Sequence, residues 1–131
     1  MGTEKCQKRV LVVEDNELNR KIAAQVIEDE GILTECAIDG LEAVKKVREA
    51  PEHYFDLILM DVQMPVMNGY EATRAIRTMD RDGAKAVPIL AMTADAFSED
   101  IQAAKDAGMN GHMAKPLDYE GLSQEINKYL K

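Results

Sequence analysis

Short apolar runs that alternate with amphipathic stretches constrain the fold of this chain more than any other feature. Residues 10–13 (VLVV) form a continuous β-branched and aliphatic run, which is typical of a strand buried on both faces. The run stops at a polar turn, and Leu18, Ile22 and Val26 then recur at four-residue spacing. That spacing predicts one apolar face of a helix. The first segment of the chain is therefore a strand followed by a helix.

The same pairing of a strand with a helix repeats four more times. Apolar runs predict strands over residues 33–38, 56–60, 87–92 and 112–114, and a helical pattern follows each of them. Residues 80–85, polar and containing glycine, are predicted to be a connection without regular structure. Five such units predict an α/β fold in which a parallel sheet carries helices on both faces.

The number of units also favours a strand order. Parallel crossovers are right-handed in almost every case, and five units in an open sheet favour a doubly wound, flavodoxin-like fold. The strand order of that fold is 2-1-3-4-5. The run over residues 33–38 alternates only in part, and this pattern predicts a strand near an edge of the sheet.

Length and composition predict a single domain. The chain has 131 residues, of which 46% are hydrophobic and 31% charged, ordinary values for a globular domain. Residues 1–8 are predicted to be a flexible N-terminal tail or linker, and residues 9–131 the domain itself. No signal peptide and no apolar run of the ~20 residues that a membrane helix needs is visible, so we expect a cytoplasmic location. Cys6 and Cys36 are expected to be free thiols.

The net charge narrows the range of partners. A net charge of −8 at pH 7 disfavours direct binding of nucleic acid or of an anionic membrane, because both attract clusters of Lys and Arg. Aromatic residues are only 5% of the chain, and no basic run is present in the sequence. We therefore expect no nucleic-acid or membrane contact by this chain.

Polar residues that can carry chemistry stand where the predicted strands end. Glu14 and Asp15 follow the first strand, Asp61 follows the third, Thr93 ends the fourth and Lys115 follows the fifth. In an open α/β sheet, ligands bind beyond the carboxyl ends of the strands, at the point where the strand order reverses. In the order 2-1-3-4-5 this point lies between strands one and three. The three carboxylates should therefore converge on one crevice.

Three carboxylates in one crevice repel one another, and a hard divalent cation with oxygen ligands relieves that repulsion. Mg²⁺ suits a site with one or two carboxylates, retained waters and a substrate phosphate. Lys115 adds a positive charge, and Thr93 adds a hydroxyl that can donate to a phosphoryl oxygen. Aspartate is a covalent nucleophile in aspartyl-phosphate chemistry. The pattern therefore predicts metal-assisted phosphoryl transfer to Asp61.

At these positions the sequence resembles the receiver domain of two-component response regulators, from about residue 8 to residue 130. The matching segments are 12–16 (VVEDN), 60–65 (MDVQMP), 68–69 (NG), 92–94 (MTA) and 114–116 (AKP). Each lies at the end of a predicted strand or just after it. Segments 15–19 (DNELN), 96–98 (AFS) and 111–116 (GHMAKP) are similar to receivers attached to hybrid sensor histidine kinases.

The resemblance implies a specific phosphorelay chemistry. Asp61 would accept a phosphoryl group from a phosphohistidine on a sensor histidine kinase or a histidine phosphotransfer protein. Asp15, Asp61 and the backbone carbonyl of Gln63 would bind Mg²⁺ or Mn²⁺ directly, and Glu14 would act through a metal-bound water. The domain would not be an enzyme in the usual sense, although it would assist its own phosphorylation and dephosphorylation.

The resemblance also implies how phosphorylation becomes a signal. Thr93 would move toward the phosphoryl group, Lys115 would pair with it, and the Lys115–Pro116 bond would be cis. The surface of helix four, strand five and helix five would then shift toward a downstream protein or an attached domain. His112 occupies the position where the family often has an aromatic switch residue, and an ordinary packed or surface histidine is the equally weighted interpretation.

Three other functions fit parts of the pattern. One is a receiver-like module that binds partners without phosphate, although the complete set of site residues argues against it. Another is a phosphatase with an aspartyl-phosphate intermediate, but such hydrolases of the haloacid dehalogenase type have Asp-x-Asp after the first strand, where this chain has Glu14, Asp15 and Asn16. The third is a flavin or nucleotide module, which would need a glycine-rich phosphate loop that the sequence lacks.

Overall fold

The computed structural model describes residues 8–64, 66–93, 98–114 and 119–130. The described strands form one parallel sheet in the order β2-β1-β3-β4-β5, which confirms the predicted doubly wound, flavodoxin-like fold. The strands are β1 (Arg9–Val13), β2 (Leu33–Ala37), β3 (Leu57–Asp61), β4 (Ile89–Thr93) and β5 (Gly111–Ala114). The predicted edge position of the second strand is confirmed as well.

Helices connect the strands and cover both faces of the sheet. In the described part of the chain they are α1 (Glu17–Asp29), α2 (Gly40–Glu49), α3 (Gly69–Arg77), α4 (Asp82–Ala86), α5 (Ser98–Ala107) and α6 (Tyr119–Leu130). None of these helices is long and apolar enough to cross a membrane. Cys36 is a free thiol in β2, whereas Cys6 lies outside the described residues.

The short helix α4 corrects the prediction for residues 80–85, which were expected to be an irregular connection. The helix follows Arg81, whose guanidinium donates hydrogen bonds to the carbonyl oxygens of Val47 and Ala50 at 2.8 and 2.6 Å, at the end of α2. Glu52 Oε1 accepts a hydrogen bond from the backbone N–H of Gly83 at 2.6 Å. These long-range contacts stabilise a helix of five residues, which is too short to show a periodic pattern in the sequence.

The buried face of α1 also differs from the prediction. Leu18 and Ile22 were expected to point into the core, but they are 66% and 42% exposed. The residues that α1 buries are Ala23, Val26 and Ile27, so that only Val26 belongs to both sets. Spacing of the large apolar side chains misidentified the face, because the small Ala23 lies on it and lets the helix pack closely.

The core has two layers, one on each side of the sheet, because successive side chains of a strand point to opposite faces. On one side, Val12 and Leu59 pack with the buried residues of α1 and α6. On the other side, Leu11, Ile58 and Met60 pack with residues of α2, α3, α4 and α5. A β3 strand that is buried along its whole length therefore occupies the centre of the molecule.

Strand pairing brings the functional end of the sheet together. Val13 pairs with Met60 across β1 and β3, and Asp61 pairs with Met92 across β3 and β4. One residue further on, the N–H of Val62 donates to the carbonyl oxygen of Met92 at 3.0 Å. The register therefore places the residues at the carboxyl ends of β1 and β3 next to each other.

Gly69, the first residue of α3, packs against the end of β3 too closely to accept a side chain. A Cβ at this position would overlap the carbonyl oxygen of Asp61 and approach Val62 Cα to 3.0 Å. We therefore expect Gly69→Ala to lower the free energy of unfolding by about 1–3 kcal/mol, the usual cost of overpacking. Urea denaturation measures the change. Helix propensity alone favours alanine, so a variant as stable as the parent protein would contradict the predicted clash.

Candidate functional site

Three carboxylates meet at the carboxyl edge of the sheet. Glu14 and Asp15 follow β1, and Asp61 is the last residue of β3. One carboxylate oxygen from each of the three lies within 4.8 Å of the others. Glu14 and Asp61 are each only 2% exposed, whereas Asp15 is exposed to solvent. The cluster is thus a pocket with two buried carboxylates and one that faces water.

The loop between β1 and α1 is held in place by local hydrogen bonds. Asn16 caps α1, because its side-chain oxygen accepts a hydrogen bond from the N–H of Asn19 at 3.0 Å. The N–H of Asn16 donates to Glu14 Oε2 at 3.2 Å. Arg20 donates from Nη1 to the carbonyl oxygens of Glu14 and Asp15, at 2.9 and 3.2 Å. Arg20 is not among the site residues predicted from the sequence, although a cation one turn into a helix that follows two acidic residues was a visible signal.

The loop between β3 and α3 lies beside Asp61. The N–H of Gln63 donates to Asp61 Oδ1 at 3.2 Å, so the backbone of Gln63 adjoins the carboxylate. The N–H of Gly69 then donates to the carbonyl oxygen of Val62 at 3.0 Å and brings α3 back against the end of β3. Asn68 begins α3 with a capping box.

The remaining predicted residues differ in where they lie. Thr93 ends β4, is 6% exposed and pairs with Ala114, the last residue of β5. It follows the residue that pairs with Asp61, so its place in the sheet is near the carboxylates. His112 is exposed on β5, an exposure that fits both a switch residue and a surface histidine. Lys115 and the predicted cis bond to Pro116 lie outside the described residues.

The donors of the cluster suit a hard divalent cation. All three side chains offer carboxylate oxygens, the ligand type that Mg²⁺ and Mn²⁺ prefer. An exposed Asp15 beside two buried carboxylates leaves room for an ion to keep part of its water shell, as Mg²⁺ usually does. The residues present therefore fit the metal that the sequence predicts.

Comparison with known proteins identifies the family. The family model of the response regulator receiver domain matches residues 10–127. The chain belongs to this family and is a receiver domain of two-component signalling.

Curated relatives are histidine kinases far longer than this chain. Probable histidine kinase 5 of Oryza sativa subsp. japonica is 37% identical over 142 residues, a match that covers 95% of this chain and 12% of the relative. The peroxide stress-activated histidine kinase mak1 of Schizosaccharomyces pombe is 37% identical over 123 residues, 92% of this chain and 7% of the relative. The chain thus spans a small fraction of the length of the curated relatives it matches.

Solved structures share the fold closely. The chemotaxis protein CheY4 of Vibrio cholerae has a TM-score of 0.87 and 34% identity, over 95% of this chain and 100% of that one. A receiver domain of a sensor histidine kinase from Pseudomonas aeruginosa, with magnesium coordinated in its active-site cleft, has a TM-score of 0.83 and 33% identity over 95% and 98%.

A third similar structure is a complex. A chain of the co-crystal of the Saccharomyces cerevisiae phosphotransfer protein Ypd1 with the receiver domain of its response regulator Ssk1 has a TM-score of 0.85. It is 32% identical, over 94% of this chain and 88% of that one.

Replacement of Asp15 by asparagine tests whether the cluster holds a divalent cation. The change removes one of three mutually repelling charges, so we expect a higher midpoint of thermal unfolding than in the parent protein when no metal is present. A ligand that binds only the folded state stabilises it, so added Mg²⁺ should raise the midpoint of the parent protein and raise that of Asp15→Asn much less.

Glu17→Gln is the matched control for this experiment. Glu17 is an exposed carboxylate two residues further along, at the start of α1, where it pairs with Lys21 at 3.9 Å. Its loss should leave the response to Mg²⁺ intact. An equal rise in the midpoint for the parent protein, Asp15→Asn and Glu17→Gln would contradict a metal site in the cluster.

Proposed function

We propose that this domain is a phosphoacceptor switch in a two-component phosphorelay, in which Asp61 accepts a phosphoryl group with the help of Mg²⁺. The observation that carries the proposal is the gathering of Glu14, Asp15 and Asp61 within 4.8 Å at the carboxyl edge of the sheet. Asp61 lies at the end of the central strand, where binding sites of open α/β sheets form.

Asp61 is the acceptor in this proposal because it lies beside both the β1–α1 loop and the β3–α3 loop. It is 2% exposed and ends β3, and the backbone N–H of Gln63 already holds its Oδ1. An oxygen of this carboxylate forms a bond to phosphorus while the phosphorus–nitrogen bond of a phosphohistidine breaks, and the imidazole leaves with that electron pair. Positioning and charge neutralisation account for most of the catalysis of such a step.

In this proposal the metal is held by Asp15, Asp61 and the backbone carbonyl of Gln63, with Glu14 acting through water. When bound, the ion supplies positive charge that offsets the carboxylates and the oxygens of the phosphoryl group. Asp15 keeps its carboxylate toward solvent, where the ion arrives, and the Arg20 hydrogen bonds fix the backbone that carries it. The metal is Mg²⁺ or, as an alternative of the same charge, Mn²⁺.

The switch would follow from residues at the ends of β4 and β5. Thr93 donates its hydroxyl to a phosphoryl oxygen, and Lys115 pairs with the added negative charge. Both precede connections to helices, namely those to α5 and α6. Because α4 was not predicted, the fourth and fifth predicted helices are α5 and α6 of the structure. We infer that the surface around α5, β5 and α6 shifts between two arrangements whose balance depends on phosphorylation. His112 on β5 is the candidate residue that would report the shift at the surface.

The phosphodonor would be a sensor histidine kinase or a histidine phosphotransfer protein. Two findings support this choice: the curated relatives are histidine kinases, and one similar structure is a phosphotransfer protein in complex with a receiver. The net charge of −8 and the acidic cluster argue against nucleic acid as the direct partner. The recipient of the signal is a downstream protein or an attached domain.

Intact mass measurement with a small phosphodonor tests the acceptor. We expect one phosphoryl adduct when the protein is incubated with acetyl phosphate and Mg²⁺, and none after chelation of the metal. Asp61→Asn removes the nucleophilic carboxylate with little change in size, so it should form no adduct. Asp82→Asn, a change at an exposed aspartate on α4, is the control and should react as the parent protein does. An adduct that persists in Asp61→Asn would contradict the proposed acceptor.

Replacement of Thr93 by alanine separates phosphorylation from switching. We expect the adduct to form, because the carboxylate cluster is intact, but the response of β5 to decrease, because the hydroxyl that engages the phosphoryl oxygen is lost. Amide chemical shifts of residues 111–114 on addition of beryllofluoride, a stable mimic of the acyl phosphate, measure the response. Thr78→Ala, at an exposed threonine after α3, is the control. Equal shifts in the Thr93 and Thr78 variants would rule out the role of Thr93.

A further inference from the structure

Two residues of the carboxylate cluster, Glu14 and Asp15, lie in the loop between β1 and α1. In the described part of the chain, Arg20 is the one residue outside the cluster whose side chain binds the backbone of both. Its Nη1 donates to Glu14 O at 2.9 Å and to Asp15 O at 3.2 Å. The side chain reaches back from the first turn of α1 over five and six residues. One guanidinium nitrogen therefore bridges two successive carbonyl groups.

Arg20 is more buried than its neighbour on α1. The side chain is half-buried, unlike that of its neighbour Lys21, which is 72% exposed. Burial raises the pKa of the Cys36 thiol on β2, and the positive charge of Arg20 is the first of the influences that oppose this rise. The helix that carries Arg20 contacts β2, and Cys36 of β2 pairs with Val12 of β1.

The direction in which each peptide group points is coupled to the side chain that it carries. Because Arg20 holds the carbonyl groups of Glu14 and Asp15, it restricts the backbone of both residues and therefore the direction in which each side chain leaves the loop. The other side of the loop is fixed by the Asn16 cap and by the N–H of Asn16 on Glu14 Oε2. Three carboxylates that repel one another would otherwise favour a loop that swings Asp15 away.

We propose that Arg20 is a positioning residue for the divalent-cation site, holding Glu14 and Asp15 toward Asp61 before the ion binds. The inference rests on the proposed function only in naming Mg²⁺ as the ion. Replacement of a residue that positions a metal ligand commonly weakens metal binding by about 10- to 100-fold. Simple electrostatics predicts the opposite sign, because a nearby positive charge repels a cation.

Loss of positioning should weaken Mg²⁺ binding, whereas loss of a positive charge should strengthen it. The Mg²⁺ affinities of charge-matched variants therefore distinguish the two effects. Arg20→Gln and Lys21→Gln each remove one positive charge from adjacent positions of α1, but only the first removes the contact with the loop. We expect Arg20→Gln to bind Mg²⁺ at least about tenfold more weakly than Lys21→Gln, by isothermal titration. Arg20→Lys, which keeps the charge, should also bind more weakly than the parent protein.

An Arg20→Gln variant that binds Mg²⁺ as tightly as Lys21→Gln, or more tightly, would overturn the assignment. So would an Arg20→Lys variant with the affinity of the parent protein, since the contact of the guanidinium with both carbonyl groups would then not be required for Mg²⁺ binding. If the parent protein itself binds no Mg²⁺, the proposed function fails, and the positioning role is judged by the metal-free measurement that follows.

Amide hydrogen exchange without metal tests the loop directly. We expect Arg20→Gln to accelerate exchange at Glu14 and Asn16, whose N–H groups are hydrogen-bonded to Ala37 O and to Glu14 Oε2. Exchange at Val26 and Ile27, in the buried face of α1, should be unchanged. Unchanged exchange in the loop would contradict positioning, and so would an equal acceleration at all four amides, which would show a general loss of stability.

Discussion

The parallel pairing of β1 with β3 determines where the carboxylates of this domain meet. Because Val13 lies opposite Met60, the residues that follow them lie side by side: Glu14 just beyond β1 and Asp61 at the end of β3. Side chains that are 47 residues apart in sequence therefore meet at one edge. β3 can occupy the centre because all five of its residues, the terminal Asp61 included, are buried.

This arrangement concentrates negative charge in a place where water is scarce. Two of the three clustered carboxylates are nearly inaccessible, and burial of a charged group is costly unless other groups compensate. The chain compensates in part through its loops, with Asn16 and Gln63 N–H groups donating to Glu14 and Asp61. A cation would compensate further, and stability and ligand binding are then linked at the same residues.

Sequence reasoning predicted the sheet order and the clustered carboxylates well, because both follow from the alternation of strands and helices. It was wrong about Leu18 and Ile22, since spacing records large apolar residues and overlooks a small one such as Ala23. It missed α4, which depends on contacts between Arg81 and the distant end of α2. Hydrogen bonds from side chains to distant backbone leave no periodic trace in a sequence.

We propose that the carboxyl end of the sheet binds a divalent cation and a phosphoryl group together. Diffraction from crystals grown with Mn²⁺ and beryllofluoride tests it most directly, because the anomalous signal of Mn²⁺ locates the ion without assumption. We expect one strong peak between the carboxylates of Asp15 and Asp61, with beryllofluoride bonded to Asp61. Beryllofluoride elsewhere, or an Mn²⁺ peak absent from this cluster in well-ordered crystals, would contradict the claim.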